Sequence, residues 1–106
     1  MEHDKIRILL VDSKPEYLRE FLLEHEFEVL EAHSEQELFD VAFDQSPDVL
    51  IGDLEIKGLN PIAACKVIKN DIALNNMAIV IVTTRDAMKK KIDAINGGAD
   101  DYIVKP

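Results

Sequence analysis

Ala78-Ile79-Val80-Ile81-Val82-Thr83 is the stretch on which the fold turns: five apolar residues in a row, four of them Ile or Val, closing on a hydroxyl. A strand with one wet face alternates apolar and polar residues. A short unbroken apolar run instead reads as a strand buried on both faces, as in a parallel sheet covered by helices. Outward from it, Val49-Leu50-Ile51 runs into Gly52-Asp53, and Lys5 to Val11 carries Ile6, Ile8, Leu9, Leu10 and Val11. Phe27 to Ala32 is a shorter strand, and Tyr102-Ile103-Val104 a fifth.

Helical signals fill the intervals. Ser13 and Glu16 have capping-box spacing, with Pro15 in the first turn and Leu18, Phe21 and Leu22 as an apolar face. Ser34 and Glu37 repeat that spacing ahead of Leu38, Val41 and Ala42, and Ser46-Pro47 closes the segment because proline restricts the residue before it. Asn60-Pro61 starts a third helix, with Ala64, Val67 and Ile68 facing inward. Met88, Ile92 and Ile95 mark a fourth, stopped by Asn96-Gly97-Gly98. Five strands alternating with four helices predict a parallel α/β sheet in a single domain with helices on both faces.

The chain has 106 residues and a net charge of −9, from 12 Lys+Arg against 21 Asp+Glu. That balance disfavours direct nucleic-acid binding and anionic membrane surfaces, which attract basic patches. The lone Cys65 builds neither a disulfide framework nor a multi-cysteine metal site, and reads as a small core residue. The opening Met1-Glu2-His3-Asp4-Lys5 is no signal peptide and no apolar run approaches a membrane span, so the cytoplasm is the expected location. His3, His25 and His33 are scattered away from the strand ends and read as surface residues.

In open parallel sheets the working site lies beyond the carboxyl ends of the strands. The polar residues there are Asp12, Asp53, Thr83 and Lys105. One carboxylate can attack a phosphoryl group. The other can help hold Mg²⁺, and the hydroxyl and ammonium can bind phosphoryl oxygens. There is no G-x-G-x-x-G, no Walker A loop and no G-x-S-x-G elbow, so nucleotide-binding and hydrolase readings lack their motifs. A small enzyme such as a phosphatase is the weakest reading.

Four segments in order resemble the response-regulator receiver family over nearly the whole chain: Ile8-Leu9-Leu10-Val11-Asp12, Pro47 to Leu54, Ile81 to Asp86, and Gly98 to Pro106. The resemblance implies a flavodoxin-like five-stranded sheet of order 2-1-3-4-5. It implies Asp53 as phospho-acceptor, with Asp12, Asp53 and the backbone carbonyl of Glu55 around Mg²⁺. Thr83 and Lys105 would bind the phosphoryl group, and Tyr102 would be the aromatic switch residue, although alone it reads simply as a half-buried strand aromatic. It also implies a cis Lys105-Pro106 bond, a histidine kinase or phosphotransfer protein as donor, and no conventional enzyme activity.

The chain departs from the family pattern in four places. Ser13 replaces the second acid after strand one; a hydroxyl is a poor ligand for a hard cation, so weaker Mg²⁺ affinity is expected, and Ser13 also serves as a helix cap. Lys57-Gly58-Leu59-Asn60-Pro61 rebuilds the entry to the third helix. The Glu55 side chain either makes good the missing acid or is solvated or paired with Lys57 or Arg85, and Thr84 and Arg85 border the site. Finally, the sequence stops at Pro106, where the family continues into a fifth helix; either the chain is trimmed there, or the bare sheet flank is covered by downstream sequence or by another chain, and a homo-oligomer or domain swap is the expectation. Two roles stand side by side: a phospho-accepting switch, and a degenerate receiver acting as a phosphorylation-independent interaction module.

Overall fold

Five parallel strands lie in the order β2-β1-β3-β4-β5 in the computed structural model, which describes residues 5–11, 16–53, 61–83 and 95–104. They are β1 (Arg7–Val11), β2 (Glu28–Glu31), β3 (Val49–Asp53), β4 (Ala78–Thr83) and β5 (Asp101–Val104). Three helices connect them: α1 (Glu16–Glu24), α2 (Glu35–Gln45) and α3 (Pro61–Asn70). The expected order 2-1-3-4-5 is the observed one. Of the predicted fourth helix only its end, Ile95 and Asn96, lies among the described residues, and it is helical.

Side chains alternate across each strand, so register assigns them to faces. Leu30, Leu9, Leu50 and Ile79 form one row, and Val11, Gly52, Ile81 and Tyr102 the next. The apolar members of these rows, Tyr102 apart, join one cluster with Leu38 and Ala42 of α2 and with Ala64, Cys65 and Ile68 of α3. Ile8, Leu10, Ile51 and Val80 belong to the opposite face. There α1 lies, tied across by Arg19, which pairs with Glu31 at 2.8 Å. Helices therefore cover both faces.

Local chemistry explains the helix ends. The Ser34 Oγ accepts the Glu37 N–H at 3.1 Å, and the Glu37 carboxylate reaches back to the His33 N–H at 2.8 Å, so the predicted cap forms. Ser46, held in the left-handed region at φ 46° ahead of Pro47, closes α2 by donating its N–H to the Ala42 carbonyl. Three expectations need correction. Ile6 stands outside β1 and is exposed, because the parallel ladder begins at Arg7. Val67 faces outward, since Ala64, Cys65 and Ile68 already fill the inner face of α3. Phe21 is 48% exposed, so of the expected face Leu18, Phe21 and Leu22 it is Leu22 that is buried. Cys65 is a buried core residue as read from sequence, and its thiol is pushed up to about 11 by burial. The Lys105-Pro106 bond lies outside the described residues.

The amino-terminal rim of the sheet is closed by a buried arginine. Arg7 donates to Glu28 at 2.7 Å, to the Gln45 carbonyl at 2.5 Å and to the Gln45 side chain at 2.7 Å. Asp48 accepts the Arg7 N–H at 2.8 Å, while its own carbonyl accepts the Ala78 N–H. This set joins β1, β2, α2 and β4 at the end of the sheet remote from Asp53.

Candidate functional site

Four strand ends meet at the opposite rim. Val11, the last residue of β1, pairs with Gly52; Asp53, the last of β3, pairs with Val82; Thr83, the last of β4, pairs with Val104. The backbone thus brings Asp53 and Thr83 to one edge on adjacent strands. Tyr102 pairs with Ile81 and so sits two strands from Gly52.

Asp53 is 1% exposed, and is one of two buried charged residues among the described ones; the other is Arg7, at the opposite rim of the sheet. Burying a carboxylate is costly unless its surroundings compensate, so natural sequences keep such groups where chemistry uses them or where a partner holds them. Asp53 ends the central strand of the sheet, where the strand ends converge. Tyr102 is 40% exposed on the edge strand, more open than the half-buried aromatic that the sequence alone suggests.

Of the sequence-predicted site residues, Asp53 and Tyr102 are described in full, and Thr83 by its backbone alone. Asp12, Ser13, Glu55, Thr84, Arg85 and Lys105 lie outside the described residues. Among the described residues no group of three metal-ligating side chains occurs. His25 and His33 are exposed surface residues, as expected; His25 stacks on Phe21 with ring centroids 4.3 Å apart.

Sequence reading missed a polar cluster on the far side of α3. Lys69 bonds Asp100 at 2.9 Å and the Met77 carbonyl at 2.8 Å. Burial raises the Asp100 carboxyl, but hydrogen bonds from Lys69 and the Ile79 N–H, with the Lys69 charge, outweigh it and hold the group below its ordinary value. Asp100 precedes a strand and Lys69 lies in the last turn of a helix, but 31 positions separate them and no local pattern pairs them.

Comparison with known proteins gives a consistent result. The family model described as "Response regulator receiver domain" matches residues 8–106. Protein PilH of Pseudomonas aeruginosa is 33% identical over 103 residues, covering 94% of this chain and 85% of PilH. Histidine kinase P4 of Formosa agariphila is 34% identical over 109 residues, but the chain spans only 8% of that kinase's length. Among solved structures, a putative response regulator from Chloroflexus aurantiacus superposes with a TM-score of 0.90 at 27% identity, over 97% of this chain and 87% of the other. The receiver domain of the Pseudomonas aeruginosa sensor histidine kinase PA1611, solved with a magnesium ion in its active-site cleft, has the same fold, with a TM-score of 0.85 at 20% identity over 96% of this chain and 86% of the other.

Proposed function

Because the chain belongs to the response regulator receiver family of two-component signalling, we propose that it is a phospho-accepting switch charged on Asp53 by a histidine kinase or phosphotransfer protein. The observation that carries this reading is the buried carboxylate of Asp53 at the carboxyl end of the central strand, beside the ends of β1 and β4. A receiver domain is not a conventional enzyme: it is the substrate of its donor.

In the proposed step a carboxylate oxygen of Asp53 attacks the phosphorus of a phosphoimidazole. The new P–O bond forms as the P–N bond breaks, and the imidazole leaves with the electron pair and takes up a proton. The product is an acyl phosphate. Thr83 and Lys105 bind the phosphoryl oxygens, and Tyr102 answers a movement of Thr83, as the resemblance implies. Positioning and charge stabilisation are most of what a protein contributes to such a transfer.

The donor set fits a hard divalent cation, since Asp53, Asp12 and the Glu55 backbone carbonyl all offer oxygen. A Mg²⁺ held by these oxygens would supply charge neutralisation at the phosphoryl group. Ser13 supplies no carboxylate, so the Mg²⁺ requirement is expected to be high, and Ser13→Asp is expected to lower it. The donor kinase works on cytoplasmic ATP, and this reading puts the domain in the cytoplasm. Among the described residues no helix is long and apolar enough to cross a membrane.

Ile103 is 54% exposed on the α1 face, which supports association through that flank, as a homo-oligomer or a domain swap. A monomer at micromolar concentration in sedimentation removes that element of the reading.

The test is the intact mass of the protein after incubation with acetyl phosphate, with and without Mg²⁺, beside Asp53→Ala. The expected result is a gain of one phosphoryl group that needs both Mg²⁺ and Asp53. No gain at high Mg²⁺, in protein shown to be folded, overturns the switch and favours the phosphorylation-independent module.

A further inference from the structure

β5 is one of the two edge strands of this sheet and the more exposed of them. It is a four-residue edge strand paired on one side only, and Asp101, Tyr102 and Ile103 are all exposed. β1 and β3, by contrast, are paired on both sides and bury Ile8, Leu9, Leu10, Val11 and Leu50. Apolar burial therefore contributes little to docking β5, and polar bonds carry a larger share.

Besides the ladder to β4, a set of side-chain bonds ties its entry. The Asp100 Oδ2 accepts the Ile79 N–H at 2.7 Å, and the Asp100 N–H donates to the Ile79 carbonyl at 2.8 Å, so one residue closes a two-bond ring on β4. Lys69, in the last turn of α3, donates to the same Oδ2 at 2.9 Å and to the Met77 carbonyl at 2.8 Å just ahead of β4. An isolated exposed ion pair contributes little. Here each partner is also bonded to β4 or the residue that leads into it, which fixes both ends. The backbone is shaped to admit the lysine: Gly98 has φ +115°, and a Cβ there would lie 3.2 Å from the Lys69 Cγ. A side chain at position 98 is strained by the backbone and also crowds the stem of Lys69.

We propose that Lys69 and Asp100 form a clasp that sets how firmly β5 is docked, making both of them positioning residues for Tyr102 and for the Lys105 that follows β5. The second half of that statement rests on the switch reading above. α3 comes next after Asp53 among the described elements and carries Lys69 in its last turn, so the clasp also joins that helix to the entry of β5.

The experiment is amide hydrogen exchange on the whole chain for wild type, Lys69→Met, Lys69→Arg and Asp100→Ala, with the rate of phosphoryl uptake from acetyl phosphate measured in parallel. Lys69→Met and Asp100→Ala are expected to speed exchange in residues 101–104 by about tenfold while β1 and β3 keep their protection. Phosphoryl uptake is expected to slow in the same two variants. Lys69→Arg, which keeps the charge and its donors, is expected to stay within about threefold of wild type in both readouts. Unchanged exchange in β5, loss of protection spread evenly over the sheet, or equal effects of arginine and methionine at position 69 would each overturn the clasp. If wild type itself takes no phosphoryl group, the switch reading fails, and the exchange data still decide whether the clasp holds β5.

Discussion

Ile79 and Val80 are neighbours on β4, yet they live in different solvents. Ile79 points to the face covered by α2 and α3 and is fully buried; Val80 points to the face covered by α1 and is partly open. The difference runs through the sheet. On the first face Leu9, Leu50, Ile79 and Ile81 are all closed off, whereas on the second Ile51 and Val80 are half-buried and Ile103 is exposed. Two helices with aligned apolar residues seal one side. On the other, the buried apolar side chains among the described residues are Ile8, Leu10 and Val82 of the strands and Leu22 of α1. The same strands are thus a core on one side and a partial surface on the other, so the two faces contribute unequally to stability.

The sharpest way to break this contrast is to truncate both neighbours. Ile79→Ala leaves a cavity that packed surroundings cannot close, and is expected to cost about 3–4 kcal/mol in urea unfolding. Val80→Ala removes two methyl groups already in part contact with water and is expected to cost under about 1 kcal/mol. Equal costs would mean that the second face is as well covered as the first.

Arg7 gives a smaller test at the rim of the sealed face. Its guanidinium is buried and satisfied by Glu28 and by two oxygens of Gln45. Arg7→Met keeps the stem and removes the donors. Glu28 is half-exposed and recovers water, but the Gln45 carbonyl loses its partner, and the expected cost is about 1–3 kcal/mol. A loss confined to this rim leaves Asp53 untouched, so phosphoryl uptake by the folded variant is expected to match wild type. A collapse of uptake would show that the two ends of the sheet are coupled.

These residues mark where sequence was legible. The strands announced themselves by unbroken apolar runs, and Ser34, Ser46-Pro47 and Pro61 marked helix ends because their chemistry is local. Asp53 could be placed at the carboxyl rim because the apolar run Val49-Leu50-Ile51 fixes the strand that it ends. What could not be read depends on distant partners. Arg7 looks like a charge interrupting a strand until Glu28, Gln45 and Asp48, between 21 and 41 positions away, supply its bonds. Lys69 and Asp100 are hidden for the same reason. Val67 and Phe21 fit an apolar helical stripe, but each stripe holds more apolar residues than the sheet beneath it has room to cover.

The smallest effect concerns the end of α1, the one described helix on the open face. Glu26 lies in the left-handed region at φ 66°. It closes the helix with the paired bonds of a glycine-type stop, the Glu26 N–H to the Leu23 carbonyl and the Phe27 N–H to the Leu22 carbonyl. A residue with a Cβ pays for that conformation with about 1 kcal/mol that glycine does not. Glycine in turn loses more backbone entropy on folding, so Glu26→Gly is expected to stabilise the protein by only about 0.5 kcal/mol. The gain should appear as slower amide exchange within α1, with β3 and β4 unaffected. If instead the whole domain gains equally, α1 unfolds together with the sealed face, and the two sides of the sheet differ in exposure but not in cooperativity.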